Sequence, residues 1–185
     1  MAVTENEKPR FTADQFFALI SEEDVRAELL NGEIVMQAGA STRHQRISNE
    51  LSFALTSYVK KNGGKCSVFY APYDVVLNDR NVVQPDVMVI CDPSKLGEKK
   101  AYGAPDLVIE ILSEDKKRDL VTKHGIYAEG GVREYWIVDP FKDRVIVYYF
   151  GSIVDVSFYD FDKPVPVGIW DGELEINLAE LLGDN

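Results

Sequence analysis

VVQPDVMVIC at residues 82–91 and APDLVIEIL at residues 104–112 are two apolar runs, each marked by a single carboxylate, Asp86 in the first and Glu110 in the second. Short runs that are apolar on successive residues read as strands covered on both faces, the pattern of a mixed α/β architecture rather than of a half-solvated sheet. Side chains alternate across a strand, so Asp86, Met88 and Ile90 share one face, and Val108, Glu110 and Leu112 share a face of the second strand. A carboxylate in such a strand costs several kcal/mol unless it is paired or holds a metal. Two of them in consecutive strands ask for a common partner, and a divalent cation is the simplest one. The residues alone also admit a structural reading, in which Asp86 caps a turn and Glu110 pairs with a lysine. Asp106 and Asp139 stand at strand ends beside Pro105 and Pro140 and read as turn residues, rivals for the ligand role.

Downstream of the second run, KKRDLVTKHGIYAEGG at residues 116–131 reads as a helix closed by Gly130-Gly131, with Ser113 in its cap region. Leu120, Lys123 and Tyr127 fall at i, i+3 and i+7, which places Lys123 on or beside the apolar face. EYWIVDP and RVIVYYF follow as a hairpin around residues 140–143. Upstream, SVFYAPYDVVLN at 67–78 reads as one long strand in which Pro72 marks a bulge or an edge, and DPSKLGEKKAYG at 92–103 reads as a polar loop.

The clearest helix is STRHQRISNELSFALTSYVKKNGG at 41–64. Ser41 or Thr42 can cap it, and Thr42 with Gln45 fits a capping box. Ile47, Leu51, Leu55 and Tyr58 form its apolar stripe, which His44 extends into the first turn. That turn is where anionic phosphates are favoured, so His44 is a candidate site residue as well as a candidate packed histidine. RAELLNGEIVM at 26–36 reads as a hairpin around Asn31-Gly32, with Glu28 and Glu33 as solvated strand positions. FTADQFFALI at 11–20 is a short helix capped by Thr12. After Gly151 come short strands, a Pro-containing link, and a strand with a terminal helical turn in DGELEINLAELL. The expected organisation is a disordered tail over residues 1–10 and one domain over 11–185.

The chain has 185 residues, 45% hydrophobic and 28% charged, the make-up of an ordinary globular protein. No run approaches the ~18 apolar residues that a membrane helix needs. The N-terminal MAVTENEKPR lacks the apolar core of a secretory signal. These features predict a cytoplasmic protein in which Cys66 and Cys91 are reduced thiols. The net charge of −11 argues against tight non-specific binding to DNA, which draws on basic surface. Basic residues do gather locally, at Arg43 and Arg46, at Lys60, Lys61 and Lys65, at Lys95, Lys99 and Lys100, and at Lys116, Lys117 and Arg118.

The element order, helix 42–61, strands 67–77, 83–91 and 106–112, helix 116–129 and strand 134–138, resembles the αβββαβ core of the PD-(D/E)xK nucleases. That is a restriction-endonuclease-like α/β fold with a mixed sheet, here extended by an N-terminal hairpin and C-terminal strands. The strings ELLNGEI (28–34), RHQ (43–45), VVQPDVMVI (82–90), APDLVIEILS (104–113) and DLVTKHGIYAEGGVREYWIVDP (119–140) resemble the Uma family of restriction-endonuclease-like proteins in particular. The resemblance implies a metal-dependent DNA endonuclease that hydrolyses phosphodiester bonds. Asp86 would be the first acidic ligand, Glu110 the acidic residue of the ExK motif, and the Ile111 backbone carbonyl a further ligand to Mg²⁺ or Mn²⁺. Leu112 stands where the superfamily carries its lysine. The family shares that departure and supplies the lysine from the next helix, here Lys123, to stabilise the phosphate or orient the water. His44 and Gln45 match the family's helix-start pair, with no role assigned. Glu114 stands where the family usually has proline. DNA is the expected partner, and a homodimer is expected by analogy. Two other readings are a catalytically inactive nuclease-fold module for dimerisation or partner binding, and a hydrolase of small phosphorylated molecules.

Overall fold

The two runs that carry Asp86 and Glu110 lie side by side as antiparallel strands at the centre of a six-stranded sheet. A computed structural model describes residues 10–20, 26–113, 117–151 and 154–183. Most of the expected tail, residues 1–9, lies outside the described residues, as do the side chains of Lys116, Lys117 and Arg118 and the position of Glu114.

The N-terminal half comprises α1 (Ala13–Leu19), β1 (Ala27–Leu30), β2 (Glu33–Met36), α2 (Thr42–Lys61), β3 (Ser67–Tyr70), β4 (Asp74–Asn78) and β5 (Asn81–Val83). It is followed by β6 (Val87–Ile90), β7 (Lys100–Tyr102), β8 (Leu107–Ile111), α3 (Lys117–Gly130) and β9 (Glu134–Asp139). The chain ends with β10 (Arg144–Phe150), β11 (Val154–Asp160), β12 (Val165–Pro166), β13 (Glu175–Ile176) and α4 (Leu178–Leu182). The six-stranded sheet has the order β11-β10-β9-β8-β6-β3, and a five-stranded sheet has the order β2-β1-β5-β4-β7. β8 and β9 run parallel, joined through α3, whereas β6 is antiparallel to both β3 and β8.

Strand alternation sorts the six-stranded sheet into two apolar faces. Val87, Val89, Leu107, Ile109, Ile111, Trp136 and Val138 pack with Ile47, Leu51 and Leu55 of α2. Met88, Ile90, Val108, Leu112, Tyr135 and Ile137 pack with Ile126 and Tyr127 of α3 and with Leu30, Val75 and Val83 of the five-stranded sheet. All five residues of β8 are buried, as expected for a strand covered on both sides. The outer face of the five-stranded sheet is closed by α1, where Phe16 meets Leu29 and Val82.

Several local readings hold in detail. Thr12 and Gln15 form a reciprocal capping box at α1. The hairpin turn puts Asn31 at φ 52° and Gly32 at φ 82°, the left-handed pair that a type I′ turn requires. Asp139 closes a turn, accepting from the backbone N–H of Phe141 and Lys142, whereas Asp106 accepts from the Cys91 N–H and so ties the end of β6 to the start of β8.

Other expectations are corrected. Residues 67–78 form two strands in different sheets, because the chain breaks at Ala71–Pro72 between β3 and β4. Residues 82–91 divide in the same way, β5 and β6 being separated at Gln84-Pro85. Proline cannot donate to a ladder, so each proline marks the point where the chain leaves one sheet for the other. The polar loop at 92–103 contains β7, parallel to β4. Ser41, not Thr42, caps α2, its side chain accepting from the His44 N–H. The residues between Ser113 and Lys117, where α3 would be capped, lie outside the described residues. Finally, Cys66 and Cys91 are joined in a disulfide rather than being two free thiols. β3 pairs with β6 so that Ser67 faces Ile90, and the next position outward sets Cys66 against Cys91. That approach depends on the sheet and has no local signature.

Candidate functional site

The register of β6 and β8 brings the two sequence-selected carboxylates together. Val87 faces Ile109, so the next position outward places Asp86 opposite Glu110. Glu110 lies on the face that carries Val108 and Leu112, where Lys123 and Tyr127 of α3 meet it. Asp86 is 6% exposed and Glu110 2%.

Lys123 is presented to them by α3. Its Nζ donates to Glu110 Oε1 at 2.9 Å and to Glu28 Oε1 at 2.8 Å. One turn along the helix, the Tyr127 hydroxyl donates to the same Glu110 oxygen at 2.5 Å. Leu112, where an in-strand lysine would stand, is buried among apolar side chains. Burial acts to depress the Lys123 ammonium, but the Glu110 and Glu28 charges outweigh it and raise its pKa above the ordinary lysine value. Burial, reinforced by the same two carboxylates, raises Tyr127 as well, so its hydroxyl stays a donor.

Glu28 corrects the sequence reading most sharply. It is 1% exposed, not solvated. All four residues of β1 are buried, because β1 lies inside the five-stranded sheet and is covered on both faces. Period-two alternation, which would put one side of an outer hairpin in water, does not operate there. The Glu28 carboxylate also accepts from the Gln84 N–H at 2.8 Å, where the chain passes from β5 to β6. Glu28 therefore ties the hairpin, that crossing and α3 to one point. Glu28 and Tyr127 are the residues whose roles sequence reasoning missed. The signals available were the position of Glu28 within ELLNGEI and the i, i+4 spacing of Tyr127 from Lys123.

Asp86 is fixed from the other side of the sheet. Its Oδ2 accepts from the Ile111 N–H at 2.8 Å and lies 3.1 Å from His44 Nε2. His44 is buried in the first turn of α2. The Asp86 backbone carbonyl accepts from the Ala71 N–H and the Ser48 hydroxyl. The N-terminus of α2 thus abuts Asp86, and Gln45 projects beside it. A cleft of about 120 Å³ opens here, lined by His44, Gln45, Ser48, Gln84, Asp86 and Arg26 among others. Glu110, Lys123 and Tyr127 are not among its lining residues; they form the buried layer next to Asp86.

The donors brought together are carboxylate oxygens of Asp86 and Glu110, with the backbone of Ile111 beside both. This is a hard oxygen set of the kind Mg²⁺ and Mn²⁺ take when substrate and water complete the shell. Among the described residues no group of three or more His, Cys, Asp or Glu side chains could hold a metal unaided. The arrangement therefore suits an ion shared with a phosphate rather than a closed structural site.

Residues 13–174 match the sequence model of the Uma2 family, described as "Putative restriction endonuclease". Two uncharacterised Synechocystis proteins are similar. One, slr1290, is 25% identical over 144 residues, covering 76% of this chain and 75% of the relative. The other, sll1609, is 28% identical over 142 residues, covering 74% and 79%. A crystal structure from Anabaena variabilis, titled as a putative nuclease belonging to DUF820, superposes with a TM-score of 0.76 at 26% identity. It covers 94% of this chain and 98% of that one.

Proposed function

Since the chain belongs to the Uma2 family, we propose that it is a metal-dependent endonuclease that hydrolyses DNA phosphodiester bonds at Asp86. The observation that carries this reading is Lys123. A buried ammonium reaches Glu110 from the neighbouring helix while leucine fills the in-strand lysine position. This keeps the acid–acid–lysine constellation by a different route through the fold. The nuclease named for the Anabaena variabilis structure supports the same class.

In this reading Asp86, Glu110 and the Ile111 carbonyl hold Mg²⁺ or Mn²⁺, which when bound polarises a phosphoryl oxygen and acidifies a water. The protein's own groups do the rest. Lys123, held protonated between two carboxylates, acts as a fixed positive charge that stabilises negative charge building on the phosphate, not as a base. Tyr127 and Lys123 together hold Glu110 in one orientation. His44 and the Ile111 N–H do the same for Asp86. The first-turn amides of α2, beside the cleft, favour a phosphate there.

Supercoiled-plasmid nicking with Mg²⁺ or Mn²⁺ tests the proposal, with Asp86→Ala and Lys123→Ala run in parallel. Metal-dependent nicking abolished in both variants is the expected result. Nicking that persists in Asp86→Ala would place the site elsewhere. The inactive-module alternative draws on one observation, that Lys123 is buried and already ion-paired with both Glu28 and Glu110. It predicts no nicking and no melting shift from Mg²⁺ beyond a matched-salt control.

A further inference from the structure

The outward stripe of α2 makes a second groove that runs into the Asp86 cleft. Gln45, Ser48, Asn49, Ser52, Phe53 and Thr56 line it, with Tyr70 of β3 opposite; Gln45, Ser48 and Tyr70 line the cleft as well. The spacing i, i+3, i+4, i+7, i+8, i+11 is that of one helical face, as the buried stripe of Ile47, Leu51 and Leu55 is of the other. By helical rise the face extends about 16 Å. The groove volume is about 320 Å³.

Its chemistry is specific in three respects. Phe53 is 66% exposed and Tyr70 63%, two aromatic rings held in water on the walls of one groove. Single exposed apolar residues are ordinary, but two exposed aromatics lining one groove beside a candidate active site are not. Between them are amides and hydroxyls, and Ser52 Oγ is buried there with no hydrogen-bond partner. Among the described residues, no lysine or arginine lines it. A surface built to hold duplex DNA by its phosphates would present cations. Aromatic faces flanked by Asn and Gln suit unstacked bases, whose faces stack and whose edges hydrogen-bond.

We infer that this groove binds the unpaired bases of a single DNA strand, stacked on Phe53 and Tyr70, and leads that strand to Asp86. The substrate class is then single-stranded or locally unpaired DNA rather than intact duplex. The inference deepens the nuclease reading and rests on it for the scission point at Asp86.

The test is fluorescence anisotropy of a labelled twelve-nucleotide single strand and of the same sequence as a duplex. It is run in EDTA so that binding is read without cleavage. The full chain is compared with Phe53→Ala, Tyr70→Ala and Phe53→Trp, each checked by thermal melting for an intact fold. The single strand is expected to bind more tightly than the duplex, with shallow salt dependence. Each alanine variant should weaken it roughly 5- to 100-fold, the loss of one stacked base, and Phe53→Trp should retain wild-type binding. Duplex binding as tight as single-strand binding, or alanine variants that melt and bind like wild type, would overturn the inference. Concentration-dependent dimerisation lost in Phe53→Ala, without strand binding, would assign the groove to a second copy of the chain and also overturn it. The two readings fail separately. Strand binding with these aromatic effects but no nicking sinks only the nuclease, whereas nicking without the aromatic effects sinks only the groove.

Discussion

Replacing Lys123 by methionine tests the core of the site, because it keeps the length and apolar stem of the side chain and removes only the charge. Lys123 is 2% exposed and sits between Glu28 Oε1 at 2.8 Å and Glu110 Oε1 at 2.9 Å. Without it, two carboxylates in the interior lose the ammonium that both contact. Removing one partner of a buried ion pair costs about 3–5 kcal/mol, much of it from the charge left behind. For a chain of this size each kcal/mol lowers the midpoint by roughly 2–4 °C, so the melt should drop by roughly 6–20 °C. Glu28→Gln is the graded control. The glutamine oxygen can still accept from Lys123 and from the Gln84 N–H, and only the charge assistance is lost, about 1 kcal/mol.

The pH dependence gives a second readout. The folded-state pKa of Lys123 is raised, so its contribution is complete below the unfolded lysine value of about 10.4 and is lost as pH rises through the folded one. Urea titrations from pH 7 upward should therefore show a constant gap between wild type and Lys123→Met up to about pH 10, narrowing only above it. A variant within 1 kcal/mol of wild type at pH 7, by urea or calorimetry, would refute the account of Lys123 as the cation that makes this burial tolerable. So would a gap that closes well below pH 10.

Further outcomes follow from three places outside the site. Glu134 is buried and accepts from Trp136 Nε1 at 2.6 Å and the Ile169 N–H at 2.7 Å, so Glu134→Ala strands two donors and should cost about 2–6 kcal/mol in urea. Burial raises the Glu134 carboxyl, so its contribution is full below the unfolded value of about 4.3 and declines as pH rises through the folded one; Glu134→Gln should flatten that decline. A Cβ at Gly168 would collide with the Tyr149 ring and crowd Glu134 Oε2, so Gly168→Ala should destabilise by about 1–3 kcal/mol, and a neutral melt would contradict the close approach. Cys66 and Cys91 are 25 residues apart; reduction should add two hydrogens by mass and lower stability by about 3–4 kcal/mol on loop-closure entropy.

What the sequence determined by itself were the elements and the chemistry of single strands. Turn and cap signals act within a few residues, so the Asn31-Gly32 hairpin, the Thr12 cap and both long helices were legible without a fold. A carboxylate inside an apolar run is equally a local signal, and it marked Asp86 and Glu110. The resemblance to a nuclease family pointed to Lys123. Only the tertiary structure decided which sheet each strand joins, since proline at 72 and at 85 announces a break but not its destination. It alone brought Cys66 against Cys91 and buried Glu28. Burial of Glu28 is a property of β1 lying between two other strands, and no alternation within ELLNGEI encodes it. The same holds for the groove beside α2: a stripe of amides, hydroxyls and one phenylalanine reads as a solvated face until Tyr70 is placed across from it.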